Sequence, residues 1–127
     1  MQQEAIAQYQ KMLKLGQKQV RDRTQQGAYP YLPCLDWILQ DRLVSGRVEL
    51  GLLSIPMERI AGTKFAGRQN SFSPEFAPLL PLGTEFADKW TRLCDAHLGD
   101  TGITDPIRCF EYLGKFYVQE GHKRVSV

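Results

Sequence analysis

Two runs of branched and aromatic residues, Ile107 to Leu113 and Phe116 to Gln119, are separated by Gly114 and Lys115. That spacing predicts a tight antiparallel hairpin. The second run meets Gly121 and then His122, Lys123 and Arg124, so a strand ends at a glycine and opens into a segment able to begin a helix. Backbone N–H groups and the helix dipole can meet an anion at such a junction. Glycine lets the main chain come close to the anion, and Lys123 and Arg124 supply positive charge. Nowhere else in the chain do a strand, a glycine and paired cations coincide. Gly121, Lys123 and Arg124 are therefore the expected anion contacts, with His122 beside them.

The rest of the chain has to build a core around that hairpin. Its 127 residues suffice for one domain. A net charge of +2 means that any nucleotide or nucleic-acid binding must come from a local patch. The first residues, Met-Gln-Gln-Glu, show neither the basic start nor the apolar core of a signal peptide, and the apolar runs are too short to span a bilayer. A cytoplasmic protein without membrane contact is expected. Cys34, Cys94 and Cys109 lack CxxC spacing and neither histidine lies at ligand distance from them, so reduced thiols and no metal site are expected.

In order along the chain, Glu4 to about Gln26 reads as a helix with Ile6, Tyr9, Leu13 and Val20 on its apolar stripe and Gly27 at its end. Its other face carries Gln17, Lys18, Arg21 and Arg23, a solvated surface in preference to a nucleic-acid contact. Leu35 to Leu39 forms one or two helical turns after a proline-rich entry. Arg42 to Arg47 is a loop, and Val48 to Ile55 reads as the first strand, with Gly51 at a bulge. A turn at Met57–Ile60 and a polar loop from Ala61 to Ser71 follow. Lys64 and Arg68 in that loop could face an anion, although it lacks P-loop spacing. Phe72 to Leu82 wraps the core. Thr84 caps a helix to Leu98 that ends at Gly99 and places Phe86, Trp90, Leu93, Cys94 and His97 on one face. Helices and strands mixed without regular βαβ alternation predict an α+β domain.

From Val48 to Val127 the chain resembles the ParB/sulfiredoxin-like family. The residues that carry the likeness are the strand at Val48–Ile55, the basic loop with Arg68 and the helix after it. Asp105-Pro-Ile107, the hairpin and Phe-Tyr-Val-Gln-Glu-Gly-His-Lys-Arg124 then match the pattern Pro-Ile/Leu, strand, strand, Asp/Glu-Gly-x-x-Arg. Tyr-Pro-Tyr-Leu-Pro, Gly-Thr-Lys and Lys-Arg-Val-Ser-Val also look like phrases at the start of larger proteins of Clostridium-type bacteria. The resemblance implies a small mixed sheet with flanking helices over residues 47–127, preceded by a helical extension over 1–46. The whole is expected to be a piece of a longer protein.

It further implies a phosphate- or nucleotide-binding module, regulatory and not catalytic by itself. Gly121, His122, Lys123 and Arg124 would hold the phosphate, with Lys64 and Arg68 across the same cleft. His122 stands where sulfiredoxins carry their cysteine, so sulfinic acid reduction is not expected. The other readings are an ATP-dependent phosphotransferase with Glu120 as base and a magnesium–nucleotide cofactor, and a DNA-binding, partition-type protein, ranked lower at this net charge. A third outcome has Arg124 paired with Glu120 or Asp105 and no ligand at all. A homodimer is left open.

Overall fold

A computed structural model describes residues 2–40, 46–100 and 102–127. The hairpin forms as expected: β2 (Arg108–Tyr112) pairs antiparallel with β3 (Lys115–Glu120), Tyr112 lying opposite Lys115. The connecting turn is Leu113-Gly114, one residue earlier than the sequence indicates. Both residues have positive φ, 52° and 82°, as the two-residue turn matching the twist of a hairpin requires.

β3 is also the centre of the sheet. Its second neighbour is β1 (Ile60–Thr63), which runs parallel to it and gives the order β1-β3-β2. This corrects two expectations. The sequence predicts turn and loop over Ile60 to Thr63, and the first strand over Val48 to Ile55. Instead, among the described residues, Val48–Ile55 pairs with no strand, and Val48 and Leu52 are 84% and 86% exposed. Alternating apolar residues describe a strand only where a partner edge and a covering layer exist. Gly51 breaks the run at φ 78°.

β1 is a strand because of what it touches. The Thr63 N–H donates to the Pro33 carbonyl at 2.9 Å, and the Lys64 N–H to the Val118 carbonyl at 2.8 Å. A Cβ at position 62 would stand 2.1 Å from the Pro33 oxygen, so glycine is what permits this close approach.

Two helices lie against each other beside the sheet. α1 (Gln2–Gln25) packs on α3 (Glu85–Leu98) through Ala5, Tyr9, Ala87, Trp90 and Cys94. The Tyr9 and Trp90 rings meet edge to face at 5.1 Å. Ile6, expected on the buried stripe, is 37% exposed; the smaller Ala5 takes the position against α3. The α3 cap is as predicted, Thr84 Oγ1 accepting from the Ala87 N–H at 3.1 Å, with Gly99 at the C-terminal end. His97 is a correction: it lies exposed in the last turn, one step round from buried Cys94.

A second cluster, Leu32, Phe72, Phe76 and Val118, fills the space under the sheet, and Phe86 touches both clusters. Residues N-terminal to position 47 thus contribute directly to the core. Leu32 comes from the stretch just before α2 (Leu35–Leu39), and Phe72 and Phe76 from the segment expected to wrap the core. The chain closes with α4 (His122–Ser126), tied to α3 by the Trp90 indole N–H, which donates to Ser126 Oγ at 2.8 Å. The domain is α+β, four helices and a three-stranded mixed sheet among the described residues. None of these helices is long and apolar enough to cross a membrane. The expected loop at Arg42–Arg47 and turn at Asp100–Pro106 lie partly outside the described residues.

Candidate functional site

Parallel pairing of β1 with β3 brings the C-terminal ends of both strands to the same edge. The loop leaving β1 and the turn leaving β3 therefore meet there. The β3 exit turns at Gly121, whose φ of 105° and ψ of 24° lie in the left-handed region. The β1 exit is pinned by Gln69, which is buried and accepts the Gly67 N–H on its Oε1 at 2.6 Å. Phe72, locked in the core, holds the far end of that loop. Arg68 stands between Gly67 and Gln69, inside the turn that their hydrogen bond closes, with its side chain exposed.

The two exits frame a cleft of about 440 Å³, and α3 forms its third wall. Arg68 lines it from the β1 loop, Lys123 and Arg124 from α4, and Lys89 and Arg92 from α3. Lys89 and Arg92 follow Glu85 at helical spacing, which puts the three on one side of α3, and Lys89 meets Glu85 at 2.7 Å. Among the described residues, Arg68, Arg92, Lys123 and Arg124 have no carboxylate within ion-pairing distance. Glu120 also lines the cleft but stands 3.9 Å from Arg108.

The electrostatics record the crowding of like charge. Lys123 is held below its ordinary range, first by burial and then by the positive charges of Arg68 and Lys89, with Glu85 opposing. Its ammonium rests over the Phe86 ring at 5.2 Å, so part of its lost hydration is replaced by the ring face.

Arg124 extends one N–H to the Pro106 carbonyl at 2.8 Å, which fixes its guanidinium at the cleft wall and leaves other donors free. The expected alternative, an ion pair with Glu120 or Asp105, is absent among the described residues.

His122 departs from the role foreseen for it. Its ring turns inward, is 6% exposed, shares a 2.7 Å hydrogen bond with Thr63 Oγ1 and stacks on Phe72 at 6.1 Å. Burial, and then the charges of Arg68 and Lys123, push it down to about 4, so it is neutral at pH 7. It ties the start of α4 to the end of β1 and leaves the ligand-facing work to its neighbours. Lys64 is not brought to the cleft. Its ammonium pairs with Asp36 and lies over the rings of Phe65 and Phe110.

Of the six residues expected from sequence, Gly121, Lys123, Arg124 and Arg68 come together at the cleft, His122 lines it with its ring turned inward, and Lys89 and Arg92 are added. The latter pair carried a readable signal, two cations three apart on a helix. Which side of that helix would face the β3 exit depends on tertiary packing. Comparison of the chain with protein-family models, with curated proteins and with solved structures gave no match.

Proposed function

We propose that the chain is a phosphate-binding module built on the ParB/sulfiredoxin-like plan, cytoplasmic and regulatory. Its ligand is a nucleotide or another phosphate-bearing molecule held by Arg68, Lys123 and Arg124. One observation carries the reading: among the described residues, five cationic side chains from three separate elements line one cleft with a single carboxylate, Glu120. Cations brought together this way repel one another, and an anion in their midst removes the repulsion and forms charge-assisted hydrogen bonds. The family likeness draws support from the same place. The Glu-Gly-x-x-Arg stretch leaves its strand through a left-handed glycine, and the basic loop follows a strand parallel to it.

Thermal unfolding with and without ATP, at constant ionic strength set with chloride, tests the reading. A ligand that binds only the folded state raises the melting temperature in proportion to the logarithm of its concentration over its dissociation constant. Arg68→Ala removes an exposed side chain without opening the core. It should cost about 1.5–3 kcal/mol of ligand binding, the worth of a hydrogen bond to a charged group. An ATP-induced shift that is absent from the wild type, or equal in the variant, refutes the assignment.

A further inference from the structure

Resting on that reading, we propose that the cleft measures the length of a phosphate chain and does not read a base. Its ligand class is tri- or polyphosphate, free or as the tail of a nucleotide, with Lys89 and Arg92 taking the phosphates farthest from Arg68. Three features of the cleft converge on this.

The first is charge. Among the described residues, Arg68, Lys89, Arg92, Lys123 and Arg124 come from a loop, α3 and α4, so positive charge reaches the space from three elements. Lys89 already meets Glu85, and one phosphate dianion still leaves about half of the other four charges uncompensated. The one carboxylate among them stands beside Arg108.

The second is size. About 440 Å³ is roughly fifteen liquid-water volumes at about 30 Å³ each, far more than one phosphate group fills.

The third is the lack of a platform for a base. Among the described residues, Leu93 is the sole aliphatic side chain lining the cleft, and no Phe, Tyr or Trp lines it. The Phe86 ring beside Lys123 has that ammonium over its face at 5.2 Å. Base-binding proteins rely on stacking against such rings.

Isothermal titration at one fixed ionic strength with orthophosphate, pyrophosphate, tripolyphosphate, ATP and adenosine decides the matter. Each added phosphate should tighten binding by about fivefold or more, as a further cation is engaged. Tripolyphosphate and ATP should agree within about threefold, and adenosine should give no heat. Arg92→Ala, at an exposed position, should weaken tripolyphosphate about tenfold and orthophosphate less than about twofold. Lys115→Ala, at the opposite end of β3, should change neither.

Orthophosphate as tight as tripolyphosphate overturns the chain-length proposal while leaving an anion site standing. So does ATP tighter than tripolyphosphate by more than about tenfold, which would mean that the base is read. Equal weakening by Lys115→Ala and Arg92→Ala overturns it as diffuse surface attraction. Silence from every phosphate overturns this proposal and the binding reading together.

Discussion

Replacing Gly121 by alanine, alongside the same change at Gly67, separates backbone strain from packing at the point where β3 turns into the cleft. The two glycines share almost the same φ, +105° and +106°. A Cβ at Gly67 meets nothing within 4 Å, so only the left-handed backbone opposes the substitution there. That term is about 1–3 kcal/mol. A Cβ at Gly121 falls 2.6 Å from Ile107 Cγ2 and 3.1 Å from Ile107 Cβ. The Cγ2 methyl could rotate away, but Cβ is fixed to the main chain, so the strand entry or the turn must move. Overpacking of this kind costs a further ~1–3 kcal/mol. At roughly 4 °C per kcal/mol for a domain of this size, Gly121→Ala should melt about 4–12 °C below Gly67→Ala. The added carbon also comes within 3.2 Å of an Arg124 guanidinium nitrogen, so the variant should lose phosphate affinity as well as stability. Differential scanning calorimetry of the two variants measures the difference. Equal melting temperatures would refute the claim that Gly121 is held by its contact with Ile107 as well as by its dihedral angles.

Other outcomes follow from the same geometry. His122 is neutral in the folded protein, with its pKa pushed from the ordinary 6.5 to about 4, so the unfolded chain takes up its proton first as pH falls. The stability it contributes is complete above about pH 6.5 and is lost as pH drops towards 4, by about 3 kcal/mol at most. His122→Gln should flatten that part of a stability–pH curve measured by urea unfolding; an unchanged slope contradicts it. Val48→Thr with Leu52→Thr should alter stability by less than about 1 kcal/mol in chemical denaturation, because both side chains stand in water. A larger loss would mean that the segment is covered. Lys64→Met should leave ATP affinity within about twofold, since its ammonium sits with Asp36 away from the cleft. A tenfold loss would restore Lys64 to the binding site.

The features legible in the sequence are the ones decided by neighbours in the chain. Thr84 and Gly99 bracket α3 through local capping, and the alternation on either side of Gly114 makes the hairpin whatever it packs against. The Gly121 junction belongs with them, because strand, glycine and cations are contiguous. β1 was hidden because Ile-Ala-Gly-Thr has little strand character. It becomes a strand through Pro33 and Val118, some thirty and fifty-five residues away. Val48–Ile55 shows the converse: it has the pattern of a strand without an edge to join. The inward turn of His122 was equally out of reach, since its partners Thr63 and Phe72 are distant in sequence. Lys89 and Arg92 could be placed on one helix face, but not on the face that meets β3.

A nitrogen-15 NMR titration of the labelled protein with tripolyphosphate tests most directly whether the β1 and β3 exits form an anion site. Saturable shifts should concentrate at Arg68, at Lys89 to Leu93 and at Gln119 to Arg124, and should shrink in Arg68→Ala. Shifts centred instead on the exposed basic face of α1 around Lys18 and Arg21, or spread evenly over the surface without saturation, would contradict a phosphate site in this cleft.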